Sequence, residues 1–179
     1  MEQRIALLRG INLGPRNRVA MPALRELLGD AGFERVRTYV QSGNVVLASR
    51  TKPETLERKL QQLITDQFGF EIGVIVRTEA QLAAVVKRNP LAKVVTEPKR
   101  YQVTFLAESL KPARVEELAA LAAGAEKFAA HGRELYAWHP NGVARSKLWA
   151  KLGSTGLGVK ATSRNWATVT TLLEMMRPR

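Results

Sequence analysis

The order and spacing of the apolar residues predict an α+β fold. Residues 1–77 read as a ferredoxin-like β-α-β-β-α-β plait, and residues 78–179 as a second, degenerate α/β plait-like subdomain. Three observations carry this reading. The runs Ile5–Leu8 and Val45–Ala48 are continuously apolar, as in strands covered on both faces. Segments opening near Pro22 and Pro53 carry apolar residues at helical spacing. From Thr78 onward a helix is followed by the order strand, helix, hairpin, helix, which partly echoes the first half.

The first strand is Arg4–Arg9, and it runs into the polar stretch "GINLGPRNR". A helix follows with Pro22 in its first turn, a stripe of Leu24, Leu27 and Leu28, and a stop at Gly29–Gly32. In "VRTYVQ", Val36, Thr38 and Val40 alternate with Arg37, Tyr39 and Gln41, the pattern of a half-exposed edge strand. Ser42-Gly43-Asn44 links it as a hairpin to the buried strand "VVLA". Thr51 or Lys52 introduces a second helix with Leu56, Leu60, Leu63 and Ile64 on one stripe, closed by Gly69. "IGVIV" supplies the fourth strand.

In the second half, Thr78 and Gln81 form a capping-box pattern ahead of Leu82, Val85 and Val86, and Asn89-Pro90 ends that helix. "YQVTFLA" is a strand and Pro112–Ala123 a helix. "KFAAHGRELYAWH" is a hairpin turning near His131-Gly132. A short helix lies near Ser146–Leu152. The last helix, Asn165–Met176, carries Trp166, Val169, Leu172, Leu173 and Met176 on one stripe, with Thr162 or Ser163 as its cap. No low-complexity linker separates the halves, so close packing of the two is expected.

At 179 residues the chain is long enough to bury a substantial core without staples. It has no cysteine, which removes disulfides, a thiol nucleophile and cysteine-ligated zinc. No apolar run approaches the ~18 residues that cross a membrane, and Met1-Glu2-Gln3-Arg4 does not resemble a signal peptide. The expectation is therefore a cytoplasmic protein with no membrane association. The formal charge of +12 favours anionic partners, nucleic acid or phosphorylated small molecules among them. The stretch between Glu134 and Glu174 contains no acid, yet holds Arg145, Lys147, Lys151, Lys160 and Arg164.

In a plait of this topology the first two strands run parallel, with the third inserted antiparallel between them. The exit of the first strand, Arg9–Gly14, then lies beside the turn Gln41–Asn44, close to the amino end of the first helix. Such a place suits an anion. "GINLGPR" is neither a P-loop nor a Rossmann fingerprint: the glycine spacing is wrong and no Lys-Ser/Thr follows. The central strands carry no aromatic residue, which argues against base stacking of the RNA-recognition type. Arg16 and Arg18 read as ordinary solvated loop residues. Ser146 and Lys147 are adjacent and do not face one another, so they do not make a nucleophile and base. His131 and His139 are too far apart to argue for a metal, and carboxylates do not cluster in the polar loops; neither a metal nor another cofactor is expected.

The motifs Leu8–Gly14, Thr38–Asn44, Ser146–Leu148 and Thr162–Trp166 together resemble a widespread bacterial family, the domain-of-unknown-function family 1697. The pattern runs Leu-Arg-Gly-Ile-Asn-x-Gly, Thr-Tyr-x-x-Ser-Gly-Asn, Ser-Lys-Leu and Thr-x-Arg-Asn-Trp, in that order along nearly the whole chain. Gly14-Pro15 departs from it, where many relatives have Gly-Gly or Gly-Lys. The resemblance implies two α+β subdomains with ferredoxin-like plaits and supplies no reaction.

The candidate ligand-binding residues are Arg9, Asn12, Gly14, Ser42, Asn44, Ser146, Lys147, Arg164 and Asn165, expected to line a basic polar cleft between the subdomains. The expected role is binding of a phosphate-bearing ligand, nucleic acid or nucleotide-like. Two alternatives stand beside it. One is a small-molecule enzyme acting on a phosphorylated substrate, with Lys147 or a histidine as proton carrier. The other is an interaction protein whose motifs only dock the two halves, with Asn12, Asn44 and Asn165 satisfying backbone groups. Catalytic residues and oligomeric state are not legible in the sequence.

Overall fold

The computed structural model describes residues 1–153 and 155–177, so the last two residues of the expected second subdomain lie outside them. The first unit is built around β1 (Glu2–Arg9), whose residues Ile5–Leu8 are all buried. β1 pairs antiparallel with β3 (Asn44–Ser49) on one side and with β4 (Gly73–Thr78) on the other. β2 (Glu34–Tyr39) pairs with β3 at the edge, giving the order β2-β3-β1-β4. Strand alternation sends Ala6, Leu8, Val45, Leu47, Val74 and Val76 to one face. There they pack with Leu24 and Leu28 of α1 (Met21–Asp30) and Leu56, Leu60 and Ile64 of α2 (Pro53–Phe68). This is the ferredoxin-like plait expected from the sequence, with both helices on one face of the sheet.

β2 is shifted two residues toward the amino end relative to the alternation of "VRTYVQ", beginning at Glu34. It ends at Tyr39, and Val40 adopts φ 49 and is exposed. The chain must leave the edge strand there to enter the tight Ser42-Gly43 link, so the last two alternating residues belong to the turn. Gly43 is fixed by two constraints. Its φ is +78, and a Cβ would come within 2.7 Å of Leu8 Cβ and 2.8 Å of Ile11 Cδ1. Its carbonyl also accepts the Leu8 amide at 2.8 Å, tying the turn to the central strand.

The second unit repeats the arrangement. β5 (Tyr101–Leu106) pairs antiparallel with β7 (Glu134–Trp138) and with β8 (Ala161–Asn165), and β6 (Lys127–His131) pairs with β7. The order β6-β7-β5-β8 is that of the first sheet with β5 in the place of β1. Leu106, Leu135, Ala137 and Ala161 form a core with Leu118 of α4 (Pro112–Ala120) and with Leu148 and Leu152 of α5 (Lys147–Leu152).

β8 corrects the sequence reading, which gave Thr162 or Ser163 to the cap of the last helix. Both lie within the strand, and Ser163 Oγ is 2.7 Å from Thr104 Oγ1 on β5. Ala-Thr-Ser-Arg-Asn lacks an apolar run, so its strand character comes from pairing with β5 rather than from its own pattern. The cap of α6 (Trp166–Met176) is Asn165, whose Oδ1 accepts the Thr168 amide at 2.9 Å. α4 likewise stops at Ala120, short of the expected Ala123.

The chain divides into compact units Met1–Ala83, joined by the stretch from Leu172, and Ala84–Thr171. One boundary falls inside α3 (Glu79–Arg88) and the other inside α6. The capping box that opens α3 forms in full: Gln81 N donates to Thr78 Oγ1 at 3.1 Å, and Thr78 N to Gln81 Oε1 at 2.9 Å. On α6, Val169, Leu172, Leu173 and Met176 are buried as their spacing predicts. Trp166 is only half-buried, stacked on Tyr101 with ring centroids 4.8 Å apart. No helix among the described residues is long and apolar enough to cross a membrane.

Gly43→Ala is expected to cost about 3 kcal/mol, combining left-handed backbone strain with overpacking against Leu8 and Ile11. Gly14→Ala, at φ +69 with nothing within 4 Å of the added methyl, is expected to cost only about 1 kcal/mol. Urea unfolding of the two variants checks the difference, and equal losses would show that the close approach at Gly43 is unimportant.

Candidate functional site

The candidate residues fall into two groups, one in each unit. In the first unit, Asn12 is the organiser. At φ 54, its Oδ1 accepts the Val19 amide at 2.9 Å, while Nδ2 donates to the carbonyls of Val19 at 2.9 Å and Gln41 at 2.8 Å. The Asn12 amide donates to Asn17 O, and Asn17 Nδ2 returns a bond to Gly10 O at 3.2 Å. The loop after β1 is thus folded on itself and hooked to the loop before β3, so the two polar loops do converge. Asn44 is buried, and its Nδ2 donates to Tyr39 O and Ser42 Oγ, both at 3.0 Å. Gly14 lies exposed at the bend of the same loop, and Arg9 is half-buried at the end of β1. Arg16 and Arg18 are exposed, as solvated loop residues should be.

In the second unit, register separates the candidates. Residues 102, 104 and 106 of β5 share a face with 161, 163 and 165 of β8, and that face carries α4 and α5. Arg164 therefore points to the opposite face, while Lys147 at the start of α5 lies on the helical one. Arg164 is buried, its Nη1 donating to Thr162 Oγ1 at 2.8 Å and Ser163 O at 2.7 Å. Burial lowers its pKa to about 10. Asn165 is occupied as the cap of α6.

Ser146 and Lys147 line a cavity of about 650 Å³ together with Glu126, Asn141, Gly142 and Arg145. The cavity is positioned by the β6–β7 hairpin. Glu126 precedes β6 and His139 follows β7, so the pairing that sets Lys127 opposite Trp138 sets these two side by side. His139 is fully buried, and its Nδ1 lies 2.7 Å from Glu126 Oε1, which places the proton on Nδ1 as donor. Glu126 Oε2 accepts the Ala123 amide at 3.1 Å, and Ser146 also bonds to the carboxylate. Ser146 Oγ in turn accepts the Trp149 amide at 3.0 Å as the cap of α5, and Trp149 meets the edge of the His139 ring at 5.8 Å between centroids. Partial burial works against the charged Glu126. The hydrogen bonds from Ser146, His139 and the Ala123 amide outweigh it and hold the pKa below the usual carboxylate value. By contrast Arg145 and Lys147 are exposed on the cavity wall, and among the described residues neither has a carboxylate partner.

Glu126 and Arg145 were not among the candidates from the sequence. A signal for Glu126 exists there: once the turn at His131-Gly132 is recognised, counting outward along the hairpin brings Glu126 opposite His139. Among the described residues no group of three or more His, Asp or Glu is placed to hold a metal ion.

Asn12→Ala is expected to cost about 2 kcal/mol, because the Val19 and Gln41 backbone groups lose their partners; urea unfolding measures it. Glu126→Gln is expected to cost about 1–2 kcal/mol at pH 7. Because folding lowers the Glu126 pKa, its contribution is complete above the unfolded value of 4.5 and is lost as the pH falls through the folded value. The stability gap between the two proteins should therefore close between pH 4.5 and more acid conditions. A gap constant over that range would mean that the charge on Glu126 contributes nothing.

The structure is similar to that of the conserved bacterial protein SP0830 from Streptococcus pneumoniae, with a TM-score of 0.79. The likeness covers 98% of this chain and 99% of that one at 22% sequence identity, and it establishes a shared fold. No curated protein matches the chain. The family model described as Protein of unknown function (DUF1697) matches residues 1–136, the greater part of the sequence, and the chain belongs to that family.

Proposed function

We propose that the protein binds a phosphate-bearing ligand in the cavity of the second unit, with Arg145 and Lys147 supplying the charge and Asn141 a neutral hydrogen-bonding group. The observation that carries this reading is the cavity of about 650 Å³ whose two cations have no carboxylate partner among the described residues. That volume is in the range of small-molecule sites, which favours a compact phosphorylated ligand over a nucleic-acid strand. Glu126 also borders the cavity, but its charge is met by Ser146, His139 and the Ala123 amide, which limits its repulsion of an anion. The asparagines of the motifs take a different part in this reading: Asn12, Asn44 and Asn165 hold loops and a helix end, and the cations do the binding. Arg164, on the other face of its sheet, is left out of the site.

A second reading is favoured by the Glu126–His139 pair, because a cavity-lining carboxylate hydrogen-bonded to a buried imidazole is an arrangement that can hold and pass on a proton. On that reading the protein is an enzyme acting on a phosphorylated substrate.

Calorimetric titration with inorganic pyrophosphate tests the binding proposal. Binding should weaken about tenfold in Arg145→Ala and again in Lys147→Ala, while Arg164→Lys leaves it unchanged. Affinity unaffected by both cavity variants would remove the proposal. Release of phosphate from p-nitrophenyl phosphate, abolished in Glu126→Gln with binding retained, is the outcome the enzyme reading requires.

A further inference from the structure

The phosphate cavity has a neighbour. α4 and α5 leave beside it a second cavity of about 610 Å³, floored by Leu118, Leu121 and Ala150 and edged by Arg114, Lys147 and Lys151. Lys147 lines both cavities. A lysine can cover apolar surface with its methylene stem and still present its ammonium to a polar site, which is what a residue shared by the two cavities requires. Leu118 belongs to the core beneath, and Leu121 packs against the same core, so the floor is the outer surface of that core rather than a loose patch. Arg114 is held by the Glu117 carboxylate and by the Gly156 carbonyl, which fixes the far rim and balances the one acid there.

The lining chemistry selects among phosphorylated molecules. Among the described residues around the second cavity none is aromatic, and none is a neutral hydrogen-bonding side chain. A nucleobase would gain no stacking there and would leave ring donors and acceptors unpaired. An aliphatic chain has nothing to leave unpaired, and it gains the burial of its methylenes on Leu118, Leu121 and Ala150. The cationic rim matches an anionic head and disfavours a cationic one.

Resting on the reading that phosphate lies at Arg145 and Lys147, we propose that the ligand is an amphiphilic phosphate ester: its phosphate occupies the first cavity, and its aliphatic body crosses Lys147 into the second. The site is then bipartite, with charge recognition and apolar recognition on opposite sides of one lysine.

Calorimetric titration of the full chain with inorganic phosphate, butyl phosphate and octyl phosphate below its micelle concentration tests this, with octyl glucoside as the uncharged control. Affinity should rise about two- to fourfold per added methylene, and octyl glucoside should bind at least about tenfold more weakly than octyl phosphate. Inorganic phosphate bound with no gain from the alkyl chain overturns this inference and leaves the phosphate reading standing. Failure of all the phosphates to bind removes both. Octyl glucoside binding as well as octyl phosphate would show an apolar site unconnected to phosphate. Ala150→Phe, at an exposed position of α5, should abolish the chain-length dependence without changing inorganic phosphate binding; a preserved dependence places the alkyl chain elsewhere and overturns the assignment. Leu121→Asn, at a half-buried position, gives the same readout from the other wall.

Discussion

Antiparallel pairing of one central strand with two neighbours is the constraint on which both units depend. β1 between β3 and β4, and β5 between β7 and β8, fix which residues face the helices and which loops share a sheet edge. Since side chains alternate with period two, a slip of one residue would exchange the faces of Leu8 and Arg9, or of Ser163 and Arg164. The first unit guards its register at Gly43, where the turn carbonyl bonds Leu8 and no Cβ can be accommodated. The placement of Arg9, Asn44, Arg164 and Asn165 follows from these ladders.

Polar residues close to one another in the motifs divide into two physical roles. Asn12, Asn44 and Asn165 spend their amide groups on backbone atoms that the turns leave without partners. Asparagine suits this work, since one side chain supplies both an acceptor and donors and tolerates a left-handed backbone such as that of Asn12. Among the described residues, Arg145 and Lys147, which border a cavity, make no such bond. Glu126 joins the two roles: it ties the α4–β6 connection, the end of β7 and the cap of α5 together, and its carboxylate forms part of the cavity wall. The bonds that hold that wall together are the same ones that moderate its charge.

What was legible in the sequence was local. The apolar stripes of α1, α2 and α6, the Thr78–Gln81 capping box and the His131-Gly132 hairpin each rest on residues a few positions apart, and each is found where the pattern places it. The approach of the Asn12 loop to the Gln41 loop was also legible, because plait topology alone brings them together. β8 was not, since a short polar segment becomes a strand only when β5 offers it a ladder. Nor were Val40, where a turn draws the backbone out of the strand, and the end of α4, where the Leu121 amide closes on the Leu118 carbonyl.

The sequence by itself determined the α+β class, the plait order of the first unit, the excess of positive charge and membership of the family whose model matches residues 1–136. Tertiary structure alone decided what the motif residues do. It turned Arg164 to the sheet face away from Lys147, engaged the asparagines with backbone, and set Glu126 beside His139 and Ser146. Composition and spacing specify which groups are present and which elements they form. The direction in which a side chain points depends on register between strands distant in the chain, and that is settled only when the whole sheet has formed.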